Sequence, residues 1–186
     1  MKLKKANAAL ALLSILLMLV HVGYSVFEYL TMYYNPFLTK VLAWPFMVTV
    51  CLHAVLGMLT VFLQADGTRM DLYPEQNLRT ILQRVSAALI FPLLILHINT
   101  FMLMQGCAER GQKGFIILLI FGEILFFAVI ITHVVTSITK VFITMGWLAS
   151  RETQKKLDKV FYILGAIVFA AAVYSVVKGQ AMMFLS

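Results

Sequence analysis

Charged residues are scarce in this chain of 186 residues. Only 12% of the residues are Asp, Glu, Lys or Arg, whereas 62% are hydrophobic. An average soluble domain has about a quarter of its residues charged. So few charges cannot cover a globule of this size with a solvated surface. The apolar runs are also continuous, which excludes the alternating pattern of a membrane β-barrel. The composition therefore predicts an all-α integral membrane protein.

Cysteine motifs, repeats and polar tracts are also lacking. Cys51 lies within an apolar run and Cys107 lies in a connection, with no CxxC pair, so a disulfide framework is not expected. No internal repeat, low-complexity tract or soluble domain is recognisable, and we predict one transmembrane domain over residues 1–186. The net charge of +7 does not indicate a nucleic-acid partner, because the positive residues lie in the connections between apolar runs.

Five apolar segments are long enough to cross a bilayer, which takes about 20 residues of helix. We predict spans at about 7–30, 41–64, 82–104, 114–143 and 160–184. The first twenty residues resemble the charged and apolar regions of a signal peptide. Because the apolar run continues through His21, we interpret it as a retained first helix. The predicted connections include two long ones, 66–81 and 144–159.

The distribution of Lys and Arg predicts the orientation. If the N-terminus is cytoplasmic, four positive residues face outwards: Lys40, Arg110, Lys113 and Lys178. The other eleven then lie on the cytoplasmic side: Lys2, Lys4, Lys5, Arg69, Arg79, Arg84, Lys140, Arg151, Lys155, Lys156 and Lys159. We therefore expect a cytoplasmic N-terminus and an outer C-terminus. The two long connections would then offer the largest surface to a cytoplasmic partner.

Each of the first four spans carries one histidine, and the connections carry none. The four are His21, His53, His97 and His133. An ionisable group within hydrocarbon is costly and usually functional. Structural hydrogen bonding explains one such histidine as well as metal ligation does, but four on successive helices favour ligation.

The depths of the histidines predict how they pair. With the N-terminus inside, His21 and His97 both lie roughly 20 Å from the cytoplasmic ends of their helices, at about 1.5 Å per residue. His53 and His133 lie roughly 10 to 16 Å from those ends. The expected pairs are His21 with His97 and His53 with His133, each clamping one iron.

Haem is the metal group that suits two imidazoles best. A closed zinc site needs four protein ligands, whereas haem brings four nitrogens and needs only axial groups. Small residues follow three of the histidines by four positions and would admit a flat macrocycle, although such residues also serve ordinary helix packing. They are Ser25, Gly57 and Ser137.

Cations at the cytoplasmic ends of the ligand helices would pair with the haem propionates. The candidates are Arg84 and Lys140, together with Arg79. Interface anchors would occupy the same positions.

Short motifs around the histidines carry a family resemblance. Gln83-Arg84-Val85-Ser86-Ala87 precedes His97, His53-Ala54-Val55-Leu56-Gly57 lies in the second span, and Phe142 to Trp147 follows His133. Their order and spacing resemble the five-helix, di-haem cytochrome b subunit of succinate dehydrogenases and fumarate reductases. Cytochromes of the bc and ferric-reductase types carry two histidines on one helix, and no span here does.

The sequence departs from that family at two places. Ala87 stands where glycine is usual, and the first span has Lys4, Lys5 and Ser14 in place of an arginine-led opening. His21 is therefore assigned as a ligand by its position alone.

The resemblance implies a role in electron transfer. Such subunits lie in the bacterial cytoplasmic membrane and anchor a flavoprotein and an iron–sulfur protein on its cytoplasmic face. Electrons pass between the clusters, two haems b and a quinone, usually menaquinone. The subunit itself performs no succinate or fumarate chemistry.

Quinone chemistry moves protons, and two acids within spans are candidates for that step. Glu28 lies seven residues after His21, and Glu123 lies ten before His133. An interfacial acid explains Glu28 equally well, and a structural role remains open for Glu123.

Two alternative functions remain open. The same type of di-haem anchor could serve a different soluble flavoprotein reductase. A haem-free transporter or assembly protein could use the histidines as a proton relay.

Overall fold

Five long α-helices make up the regular structure of the described part of the chain. The computed structural model describes residues 2–64 and 74–186, with side chains described at 2–60 and 78–186. The helices are α1 (Lys2–Thr31), α2 (Pro36–Gln64), α3 (Pro74–Glu109), α4 (Lys113–Met145) and α5 (Arg151–Phe184). Each is long and apolar enough to cross a membrane. The predicted all-α fold with five membrane spans is confirmed, and the protein is a multi-pass membrane protein.

α1 and α2 begin five residues earlier than the hydropathy predicted, and α3 and α5 begin eight and nine residues earlier. α3 begins at Pro74 rather than near residue 82, with proline in the first turn where its missing N–H costs nothing. α5 begins at Arg151 rather than near residue 160. Its N-cap is Ser150, whose hydroxyl accepts from the Thr153 N–H at 3.5 Å. The prediction of a long loop at 144–159 is therefore wrong, since only 146–150 of these residues are non-helical. Of the other predicted loop, 66–73 lie outside the described residues.

Capping residues define the short connections. Asn35 precedes α2, and its side-chain oxygen accepts from the N–H groups of Phe37 and Leu38 at 3.1 and 3.2 Å. Gly146 ends α4 in the left-handed conformation at φ 82°, and its N–H donates to Ile143 O. Glycine adopts this conformation without the steric cost of a Cβ.

α4 lies at the centre of the bundle and packs against α1, α3 and α5. Two glycines bring its neighbours close. A Cβ on Gly122 of α4 would lie 2.8 Å from Leu96 of α3, and a Cβ on Gly165 of α5 would lie 2.7 Å from Val135 of α4. Within the described residues, α2 packs extensively only on α1. The side of α2 that faces α4 therefore lacks close helix packing.

Two small apolar clusters hold the ends of the bundle. One joins Ala8 and Ala11 of α1 to Val141 of α4. The other, at the opposite end, joins α3 to α4 through Met104, Cys107, Ile116 and Ile120. The two clusters therefore fix α1 and α3 on α4 at opposite ends of the bundle.

Candidate functional site: histidines at two levels

His53 and His133 face each other across the gap between α2 and α4. Their ring centres lie 6.3 Å apart, with the planes inclined at 64°. This pair defines the first level, nearer the start of α1. Both rings are half-buried, so each is partly accessible.

Backbone carbonyls orient both rings of the first level. His53 Nδ1 lies 3.3 Å from Asn7 O of α1, and His133 Nδ1 lies 3.1 Å from Gln83 O of α3. A carbonyl oxygen only accepts, so each Nδ1 carries the hydrogen and donates. In the neutral ring, Nε2 then keeps its lone pair free for a metal. Ser86 Oγ lies 3.3 Å from the same His133 nitrogen.

The second level lies further along α1 and contains His97 and Glu123. His97 Nδ1 of α3 is 2.6 Å from Glu123 Oε2 of α4. Glu123 is 2% exposed, whereas the side chain of His97 is 32% exposed. Phe126 stacks on the imidazole with ring centres 4.8 Å apart. This pair was not predicted, because nothing in the sequence indicates which residues of α3 and α4 meet.

His21 of α1 belongs to the second level. It lies 14 residues beyond Asn7, the α1 residue that contacts His53, and its ring stacks on Phe46 of α2 at 5.8 Å between centres. Its Nδ1 is buried and has no hydrogen-bond partner in the described part of the molecule. The rings of His53 and His133 lie side by side, while the pairing of His21 with His97 and ligation by all four histidines stay predictions.

The spacing of the first-level histidines suits bis-imidazole ligation of haem iron. Two nitrogens each about 2 Å from a metal between them would hold ring centres about 6 Å apart, and the first level has 6.3 Å. A metal-bound histidine usually donates its other N–H to a carbonyl or carboxylate, as His53, His97 and His133 do. No group of three or more His, Cys, Asp or Glu side chains gathers within the described ranges. These side chains therefore offer no closed zinc site of their own.

Lys140 and Arg84 lie at the first-level end of the bundle. Lys140 Nζ donates to Thr80 Oγ1 at 2.9 Å and to Gln83 Oε1 at 3.0 Å. Arg84 is half-buried beside Gln83. Lys140 therefore helps to hold the residue whose carbonyl orients His133.

Arg79 fastens three helices together. Its three guanidinium nitrogens donate to Thr136 O at 2.6 Å, to Thr139 Oγ1 at 2.6 Å and to both oxygens of Asp158 at 2.8 and 2.9 Å. Arg79 was predicted to pair with a haem propionate, whereas its ion pair with Asp158 was not predicted. The available signal was Asp158 itself, one of two acids in the largely basic stretch 151–159.

Glu28 lies apart from the first level, near the α1–α2 connection. Thr39 Oγ1 of α2 donates to Glu28 Oε1 at 2.6 Å. The carboxylate is half-buried, so it is bonded and also accessible.

Searches among protein-family models, curated proteins and solved structures gave no match for this chain. The family resemblance therefore rests on the sequence motifs alone.

Proposed function

We propose that this protein is the membrane-anchor cytochrome b subunit of a succinate:quinone oxidoreductase or quinol:fumarate reductase. Two haems b would be held by His21 with His97 and by His53 with His133. The observation that carries the proposal is the arrangement of imidazoles at two levels, three of them with Nδ1 anchored on an oxygen. Bound haem would supply one-electron transfer, and a haem at each level would let electrons pass between the two faces of the membrane.

The cations at the first level support propionate binding. Lys140 lies two helical turns after His133, and Arg84 adjoins Gln83, whose carbonyl orients His133. Lys140 donates to the uncharged side chains of Thr80 and Gln83. The role of the two cations is to orient the porphyrin edge towards the cytoplasmic face.

Two carboxylates, those of Glu28 and Glu123, support quinone chemistry. Glu28 is accessible near the end of the bundle, and Glu123 Oε1 is buried without a hydrogen-bond partner in the described residues. Either carboxylate would accept a proton released by a quinol, for which menaquinone is the expected species. The chain would thus be the quinone-reactive subunit and not the site of succinate oxidation.

The start of α5 supports docking of an iron–sulfur subunit and, through it, a flavoprotein subunit. Lys155, Lys156 and Lys159 are exposed in its first turns. This surface is basic and helical, so it would attract an acidic partner in the bacterial cytoplasm.

A pyridine haemochrome assay on the purified protein tests the proposal. We expect two haems b per chain and a reduced-minus-oxidised spectrum with a b-type α-band. A colourless protein would remove every redox function and leave the transporter or assembly protein. The subunits that co-purify distinguish succinate or fumarate chemistry from a different flavoprotein reductase served by the same anchor.

A further inference from the structure

Glu123 is the buried carboxylate that contacts a predicted haem ligand. Its Oε2 lies 2.6 Å from His97 Nδ1, and only 2% of the residue is exposed. Burying an acid within apolar helices is costly unless it is bonded or used. Both oxygens are buried, and His97 is the partner of one of them.

The bond determines which nitrogen of His97 is free. If Nδ1 carries the hydrogen, it donates to the carboxylate and Nε2 keeps its lone pair. If Glu123 carried the hydrogen instead, Nε2 of the neutral ring would be protonated and could not bind iron. Only the first arrangement is compatible with ligation by His97.

The local packing brings the two side chains together. Gly122 adjoins Glu123 and Leu96 adjoins His97, and a Cβ on Gly122 would lie 2.8 Å from Leu96 Cδ2. Glycine therefore lets α3 and α4 approach at this level. Phe126 then stacks on the imidazole at 4.8 Å, which restricts rotation of the ring.

His53 and His133 are anchored differently, since their Nδ1 atoms meet backbone carbonyls at 3.3 and 3.1 Å. A hydrogen bond to a carboxylate is shorter and stronger than one to a neutral carbonyl. It also makes the imidazole a more electron-rich ligand. An electron-rich axial ligand stabilises the oxidised iron, so it lowers the reduction potential.

We propose that Glu123 is a positioning residue that fixes His97 in its ligating form and lowers the reduction potential of the haem bound there. The inference rests on the proposed function. The role requires an ionised Glu123 carboxylate, which leaves Glu28 to accept a proton from a quinol.

Redox titration of the purified holoprotein, followed at the α-band, tests this role. In Glu123→Gln the amide oxygen still accepts from Nδ1 but lacks the full charge, so the potential of one haem moves to a more positive value. In Glu123→Leu no acceptor remains, and the shift is larger. The other haem keeps its potential in both variants. The low-spin electron paramagnetic resonance signal of the shifted haem changes with it.

Glu109→Gln is the matched control, because it removes an exposed acid of the same helix as His97 and leaves His97 untouched. It should leave both potentials unchanged. Two bound haems with unaltered potentials and spectra in Glu123→Gln would overturn the inference and leave the proposed function intact. If Glu123→Leu does not assemble, the near-isosteric Gln variant decides. Wild-type protein without haem would instead refute the proposed function on which the inference rests.

Discussion

Arg79 of α3 and Asp158 of α5 form a two-pronged ion pair at 2.8 and 2.9 Å. Both side chains are mostly buried, at 14% and 16% exposure. Thr139 of α4 donates to the same carboxylate at 2.7 Å, and Thr136 O accepts from the guanidinium. This network ties α3, α4 and α5 together beside the first level of histidines.

Asp158→Ala should destabilise the protein by about 2 to 4 kcal/mol, because it leaves a mostly buried guanidinium without its anion. Thermal unfolding of the purified protein in detergent measures the effect. The double variant Arg79→Met with Asp158→Leu should recover much of the loss, since no unpaired charge remains. Equal instability of the single and double variants would contradict this explanation.

His97→Ala should remove one haem and spare the other, because His53 and His133 lie at a separate level. The pyridine haemochrome assay should give half the wild-type content. His53→Ala should remove the other haem, leaving a different α-band. Unchanged haem content in His97→Ala would refute the assignment of this ligand.

Gly179→Ala should destabilise the contact between α5 and α1. A Cβ at this position collides with the ring of Tyr29, whose hydroxyl lies 3.4 Å from Gln180 Nε2. Forcing an aromatic ring aside in packed helices costs about 1 to 3 kcal/mol. Gly23→Ala is the control, since nothing lies within 4 Å of its Cβ position. It should be neutral or slightly stabilising in unfolding experiments, because alanine favours helix.

Glu28→Gln should slow quinol oxidation or quinone reduction by the assembled complex while both haems remain. The amide keeps the contact with Thr39 but cannot accept a proton from a quinol. Steady-state turnover with a soluble quinone measures the change. Glu109→Gln alters an exposed acid near the end of α3 and should leave turnover unaffected. Wild-type turnover in Glu28→Gln would assign Glu28 to helix packing alone.

Cysteine labelling should establish the orientation. After Cys51 and Cys107 are replaced by serine, Tyr34→Cys should react with an impermeant maleimide from outside intact cells. Glu152→Cys should react only after the membrane is opened, because the basic start of α5 is expected to be cytoplasmic. The opposite labelling pattern would reverse the predicted topology.

The sequence by itself determined the class of fold. Runs of about 20 apolar residues are unfavourable in water and long enough to cross a bilayer. Within hydrocarbon, only a helix satisfies all the backbone hydrogen bonds of a single segment. It also placed one histidine in each of four helices. It could not place the starts of α3 and α5, because hydropathy detects the lipid-facing part of a helix and misses its polar extension. Pro74 is the first residue of α3, and Ser150 is the N-cap of α5.

Only the tertiary structure decided which polar groups meet. Glu123 and His97 are 26 residues apart, and Arg79 and Asp158 are 79 apart. No periodicity within one helix encodes either pair. The contact within each pair depends on how closely two helices approach and on how each is rotated about its axis. Packing of residues such as Gly122 against Leu96 sets both. The apolar length of a helix follows from its own segment of sequence. The contacts between polar side chains of different helices depend on how the whole bundle packs.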